Sequence, residues 1–160
     1  LRPTRGWASW RNGNYLRFNQ INTPLPIALV EERFGFIRRR AWLVTEYSSG
    51  IDLLTAVRST DAMPIDSSHL PGLTAKLVDQ LIGANLSHGD MKATNFIVTS
   101  NGIQLIDLDA MQIHSSRAKA VVAIKSDIDR LLRNWDEASV KKSFSSALQT
   151  TLGEGFSPTP

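Results

Sequence analysis

The chain has 160 residues, 42% of them hydrophobic and 21% charged, with a formal net charge of +3. That is ordinary for a soluble globular protein of about one domain, with apolar side chains enough for a core that needs no disulfide or metal staple. The absence of cysteine excludes a disulfide scaffold, a thiolate metal site and a Cys nucleophile, and it favours a reducing compartment.

No apolar run approaches the roughly 18 residues that a membrane span requires. The N-terminus shows neither a signal peptide nor an initiator Met, and a start at Leu1-Arg2-Pro3 reads as a piece of something longer. The charge is uneven. The first acidic residue is Glu31, preceded by Arg2, Arg5, Arg11 and Arg17 and followed by Arg38, Arg39 and Arg40. A basic N-terminal third suits nucleic acid, anionic lipid or a phosphorylated sugar, and it equally suits a solvated basic face.

In chain order, residues 7–19 predict a helix. Trp7, Trp10 or Arg11, Tyr15 and Phe18 recur at steps of three and four, a stripe expected in the core. Asn22 to Pro26, "NTPLP", stops it, because proline has no amide donor and disfavours a helical residue before it. Residues 27–30 and 41–47, "AWLVTEY", read as two strands of an antiparallel hairpin turning at Gly35. Residues 51–58 read as a short helix after the break at Ser48-Ser49-Gly50. A polar, Pro-containing connection, "STDAMPIDSSHLPG", follows.

Residues 73–86 predict an amphipathic helix with Leu73, Leu77 and Leu81 on one side. Residues 96–99 and 103–106 predict a second hairpin around Ser100-Asn101-Gly102, Asn-Gly being a strong turn signal. Residues 118–134 and 137–151 predict two further helices, and 153–160, "GEGFSPTP", a frayed tail. The order helix, hairpin, helices, hairpin, helices is α+β, with polar residues gathered at both ends of the second hairpin.

Those polar residues carry the chemistry. His88-Gly89-Asp90-Met91-Lys92-Ala93-Thr94-Asn95 precedes the hairpin, and Leu105-Ile106-Asp107 ends it. A hairpin returns the chain on itself, so Asn95 and Asp107 become neighbours. An amide oxygen beside a carboxylate is a hard-oxygen pair suited to Mg²⁺ with nucleotide phosphates. Asp90 is then free to accept a hydroxyl proton, and Lys92 can neutralise charge on a transferring phosphoryl group. Taken singly, each residue has a plainer reading: a surface ion pair for Asp-x-Lys, a turn residue for Asn. His69 and His114 are lone and read as surface or capping residues. Asp109 reads as structural rather than as a ligand to a second metal.

The spacing H-x-D-x-K-x-x-N, followed after strand-turn-strand by an Asp, matches the catalytic loop of protein-kinase-like enzymes. "HGDMKATNF", "LIDLDAM" and "SDIDRLLRNW" closely resemble the Kdo/heptose lipopolysaccharide kinase family of Gram-negative bacteria, as does "SWRNGNYLRFNQINTPLPIAL". The resemblance covers nearly the whole chain. It implies a protein-kinase-like fold in one partial domain: 1–47 the remnant of an N-terminal lobe and its hinge strand, 48–152 a mainly helical C-terminal lobe. It further implies that Asp90 is the catalytic base, that Lys92 contacts the γ-phosphate and that Asn95 and Asp107 hold Mg²⁺. Glu46 and Tyr47 would offer backbone groups to the adenine of ATP. His88 would brace the loop from beneath, and Asp127 would brace it from a later helix or simply cap that helix. The implied acceptor is a sugar hydroxyl of the lipopolysaccharide core or another hydroxyl. The implied setting is cytoplasmic, with peripheral contact at the inner membrane and no nucleic acid.

Two expected parts are missing. No G-x-G-x-x-G occurs, and no lysine precedes Lys76, so the phosphate cradle and strand Lys of a kinase would have to lie before Leu1. The first helix has no acidic residue to pair with such a lysine. The isolated chain is therefore expected to bind ATP weakly and turn over poorly. Two further readings stay open: a kinase for protein Ser/Thr or another small molecule, and a pseudokinase-like binding module without catalysis.

Overall fold

The computed structural model describes residues 3–59 and 65–152; the tail expected at 153–160 and the middle of the polar connection lie outside them. Helix α1 (Arg5–Phe18) is followed by a hairpin of β1 (Pro26–Phe34) and β2 (Ile37–Thr45). Then come β3 (Ile51–Asp52), α2 (Leu53–Arg58), α3 (Leu70–Gly83), β4 (Leu86–Ser87), β5 (Phe96–Thr99), β6 (Gly102–Leu105), β7 (Gln112–Ile113), α4 (Arg117–Leu132) and α5 (Ala138–Leu152). The first hairpin stands alone as two strands; β3, β5 and β6 form a three-stranded antiparallel sheet, and β4 pairs with β7.

Thr4 starts α1 as its N-cap, accepting the Trp7 N–H. The aromatic stripe expected in the core is corrected by the structure. Phe18 is 85% exposed, Trp7 and Trp10 are half-buried, and only Tyr15 of the four packs against the core. The buried positions of α1 are instead Asn12, Gly13 and Leu16. The reason is close approach. A Cβ on Gly13 would stand 2.8 Å from Pro26, and one on Gly6 2.9 Å from the Ala41 Cβ. The helix rests on the hairpin through its smallest residues, which turns the large rings sideways. Arg11 covers the Trp7 face as a cation–π pair.

The hairpin β1–β2 runs longer than the two short strands expected, in the register Ala28↔Val44, Val30↔Trp42, Glu31↔Ala41. It leaves Ile27, Val30, Phe34, Ile37, Trp42 and Val44 exposed. The helix expected at 51–58 begins two residues late, because Ile51 and Asp52 pair with Val98 and Ile97 as a strand. Asp52 then caps α2 through the Thr55 N–H. Helix α3 begins earlier than its periodicity suggests and ends at Gly83, so Leu86 belongs to a strand.

One core joins α3, α4 and α5 to the β5–β6 hairpin. Leu77, Leu81 and Ile82 meet Phe96, Val98, Leu105, Ile124, Ile128 and Phe144. Full burial of such side chains contributes about 1.5–3 kcal/mol each. Trp135 stacks on Phe144 with ring centroids 4.7 Å apart. The link after α1 fastens the N-terminal part to this core. The Asn22 carbonyl accepts from the Leu105 N–H, and the Thr23 hydroxyl donates to the Leu105 carbonyl at 2.7 Å.

Candidate active site

The second hairpin brings the two polar segments together. Its ladder pairs Phe96 with Leu105 and Val98 with Ile103, and the Ile106 N–H reaches the Asn95 carbonyl at 3.0 Å. Asn95 and Asp107 therefore leave the same end of the hairpin side by side. The tight connection is stabilised by Thr99, whose hydroxyl donates to the Gly102 carbonyl and accepts the Asn101 N–H.

Residues 88–95 form a loop whose backbone is held at nearly every step. His88 is fully buried, and its Nε2 lies 3.0 Å from the Ile106 carbonyl. Its Nδ1 accepts the Asp90 N–H at 3.4 Å, so the ring proton belongs on Nε2, donating to Ile106. Asp127 of α4 is buried, and one oxygen, Oδ2, accepts the N–H groups of both His88 (2.8 Å) and Gly89 (3.0 Å). It sits well inside α4, whose N-cap is Ser116, so it does not cap that helix. Asn134, just past α4, accepts the Ala93 N–H at 2.6 Å. Gly89 has φ +80°, and a Cβ there would run into the Ala110 carbonyl oxygen; the "HGD" glycine is required by space and by backbone angle.

Asp90 is half-buried. Lys92 Nζ reaches its Oδ2 at 2.8 Å, and Arg130 Nη1 reaches its Oδ1 at 3.1 Å. The hydrogen bond from Lys92, then the charges of Lys92 and Arg130, hold the Asp90 carboxyl below the usual carboxylate range against the opposing effect of burial. It is a ready acceptor rather than a proton donor at neutral pH.

Asn95 is buried, and its Nδ2 donates to the Asp90 carbonyl at 2.9 Å, which leaves Oδ1 as its available donor atom. Asp107 is exposed and adopts a left-handed conformation, φ +57° and ψ +60°; its carboxylate accepts no hydrogen bond among the described residues. Such a conformation in a non-glycine residue costs energy that the surroundings must offset. The surroundings come from α1. Fully buried Asn12 donates Nδ2 to the Leu108 carbonyl at 2.6 Å and the Met111 carbonyl at 3.3 Å, while Arg11 donates to Asn12 Oδ1. Arg5 pairs with Asp109, which places Asp109 in a structural contact. The acid-free first helix thus grips the loop after Asp107 with an amide and a guanidinium.

A cavity of about 370 Å³ opens beside Asp107, lined by Gly13, Leu43, Thr45, Ile106 and Leu108 among others. Glu46 and Tyr47 are exposed and follow Thr45 but are not part of its lining, and the Glu46 N–H is already spent on the Leu25 carbonyl at 2.8 Å. A larger cavity of about 550 Å³ lies away from these residues, between Arg17, Lys76 and Asn101. His69 is exposed, and His114 bonds the Ser87 hydroxyl; neither joins the site.

The sequence reading named Asp90, Lys92, Asn95 and Asp107, and the structure gathers all four at one end of one hairpin. It missed Arg130, Asn134 and Asn12. Asp127, Arg130 and Asn134 repeat at three and four positions, the spacing of one helix face, which was the available signal. Asn12 had none, since an Asn in a helix usually faces water.

The model of the lipopolysaccharide kinase (Kdo/WaaP) family matches residues 1–151. No curated protein matches the sequence. Among solved structures, WaaP in complex with acyl carrier protein has a TM-score of 0.59 and 18% identity over 87% of this chain and 64% of WaaP. The yeast RNA polymerase II C-terminal-domain kinase complex CTDK-1 has a TM-score of 0.49 and 15% identity over 72% of this chain and 36% of that one. The chain spans less than two-thirds of the length of WaaP and shares its fold, a protein-kinase-like one.

Proposed function

The chain belongs to the lipopolysaccharide kinase (Kdo/WaaP) family, and from that membership and the site geometry we propose that it transfers the γ-phosphate of ATP to a sugar hydroxyl of the lipopolysaccharide inner core. The observation that carries this reading is the convergence of Asp90, Lys92, Asn95 and Asp107 at one end of the β5–β6 hairpin. Asp90 takes the acceptor proton, and Lys92 faces the transferring phosphoryl group.

Asn95 Oδ1 and the Asp107 carboxylate, which accepts no hydrogen bond among the described residues, have the donor chemistry for Mg²⁺. The described residues hold no group of three or more His, Cys, Asp or Glu fit to bind a metal alone, so a Mg²⁺ held by Asn95 and Asp107 would take its remaining oxygens from nucleotide phosphates and water. The metal supplies charge neutralisation on the phosphates. The cleft beside Asp107 receives the nucleotide, with the backbone of Glu46 and Tyr47 following directly after Thr45 of its lining. His88 and Asp127 brace the catalytic loop. No described helix is long and apolar enough to cross a membrane. Arg38 and Arg40, on the hairpin beside the Arg39–Glu32 pair, guide an anionic acceptor or meet an anionic membrane surface from the cytoplasmic side.

The test is phosphate transfer from radiolabelled ATP to dephosphorylated inner-core lipopolysaccharide, with Mg²⁺ present. Asp90→Asn is expected to lower kcat by about 10²- to 10⁴-fold, the usual contribution of a general base, with circular dichroism unchanged. Equal turnover in the variant would remove Asp90 from the chemistry. A panel of protein and small-molecule acceptors separates this reading from its rivals. The lack of a G-x-G-x-x-G segment in the sequence favours one rival, a binding module; absence of transfer to every acceptor would put that reading first.

A further inference from the structure

Helix α4 does more than brace the loop. Asp127, Arg130 and Asn134 lie along one line, and each meets the loop at a different depth. Asp127 takes two backbone N–H groups and Asn134 takes a third, whereas Arg130 alone touches the side chain of Asp90. Its Nη1 donates to the Gly89 carbonyl at 2.5 Å and to Asp90 Oδ1 at 3.1 Å. One guidinium nitrogen therefore spans the backbone before Asp90 and the carboxylate of Asp90 itself. That fixes the rotation of the carboxylate against the loop.

The two oxygens of Asp90 are held by unequal partners. Oδ1 is held by a planar cation rooted in a helix and shared with a backbone carbonyl. Oδ2 is held by Lys92, a compact charge on a flexible stem whose side chain is half exposed. An incoming phosphoryl group competes for Lys92 far more readily than for Arg130.

We propose that Arg130 is a positioning residue that pins Asp90 through Oδ1 and so reserves Oδ2 as the oxygen that meets the acceptor hydroxyl. The inference rests on the kinase reading given above. In the transfer, the bond from acceptor oxygen to γ-phosphorus forms and the bond from γ-phosphorus to the ADP oxygen breaks. The acceptor proton passes to Oδ2. Arg130 takes no part in bond making; it holds the base within the narrow range of approach that proton transfer tolerates.

The experiment is a double-mutant cycle on phosphate transfer from Mg-ATP to inner-core lipopolysaccharide, with wild type, Arg130→Met, Asp90→Asn and the double variant. Arg130→Met is expected to lower kcat about 10- to 100-fold with KM for ATP within about twofold, because Arg130 is spent on the Gly89 carbonyl and Asp90. In the Asp90→Asn background the same change is expected to cost nothing further, since Arg130 acts through that carboxylate. Guanidinium in the buffer should restore part of the Arg130→Met activity and none of the double variant's. Arg130→Lys keeps the charge and guards against a folding defect; it should fall between wild type and Arg130→Met. A wild-type kcat in Arg130→Met, or equal losses in both backgrounds, would overturn the positioning role while leaving the kinase reading intact. A wild-type protein without transfer to any acceptor would overturn both.

Discussion

Replacing Asp127 tests how the catalytic loop is held. Its carboxylate is buried, and Oδ2 alone accepts two backbone N–H groups, from His88 at 2.8 Å and Gly89 at 3.0 Å. A hydrogen bond to a charged group contributes about 1.5–3 kcal/mol, so Asp127→Ala forfeits about 3–6 kcal/mol and leaves two donors without partners. Removing the carboxylate also removes the cost of burying it, which brings the expected net loss to about 2–4 kcal/mol. That is a large part of a stability of about 5–15 kcal/mol. Asp127→Asn separates charge from geometry. A single amide oxygen can still accept both N–H groups, so its loss should be about half as large. Urea unfolding is the assay, followed by fluorescence of Trp135, which is buried against Phe144. An Asp127→Ala midpoint indistinguishable from wild type would show that water or a shifted side chain satisfies the two donors, and the bracing argument would fail.

Three other perturbations probe different supports. Gly89→Ala places a Cβ against the Ala110 carbonyl in a residue at φ +80°; kcat should fall more than about tenfold through displacement of Asp90, with folding retained, as circular dichroism and steady-state kinetics would report. Asn12→Leu fills the same space but removes the Asn12 donor from the Met111 carbonyl and leaves the Leu108 carbonyl with the Met111 N–H alone. It should cost about 1–3 kcal/mol in chemical denaturation and weaken Mg-ATP binding by loosening the loop after Asp107. Glu31 is held below the usual carboxylate range, first by the Thr4 hydroxyl and then by Arg33. Because its folded pKa is depressed, its stabilising effect is complete above the unfolded value of about 4.3 and lost as pH falls through the lower folded value. Wild type should therefore be more stable than Glu31→Gln at pH 7, with the gap closing below about pH 4; a pH-independent gap in thermal unfolding would contradict the assignment.

Local signals carried much of the fold and named the four residues that the fold brings to one end of the β5–β6 hairpin. The two hairpins were legible because β-branched and aromatic runs flank Gly35 and Asn101-Gly102, residues that need no distant partner to turn. The helices were legible from apolar period, with ends displaced by a few residues. Ile51-Asp52 failed to join α2 because a strand partner, β5, lay 45 residues away in the sequence, a distance that no local pattern reports. The aromatic stripe of α1 misled for a similar reason. Burial of that helix was decided by how closely Gly6 and Gly13 approach Ala41 and Pro26, and a hydrophobic pattern rewards size, not closeness. In the site, Asp90, Lys92, Asn95 and Asp107 share a compact motif. Their anchors do not: Asn12 is 96 positions from Leu108, and Arg130 is 40 from Asp90.

The two halves of the site are consequently supported from opposite sides. The base loop, 88–95, hangs on α4 and Asn134; the loop after Asp107 hangs on α1 through Asn12 and the Arg5–Asp109 pair. The β5–β6 hairpin, the Ile106–Asn95 and His88–Ile106 bonds and the close approach of Gly89 to the Ala110 carbonyl connect them directly. Phe96 and Leu105 face each other across that hairpin, both fully buried, so the spacing between Asp90, the proposed base, and Asn95 and Asp107, the proposed metal pair, is set by packed core.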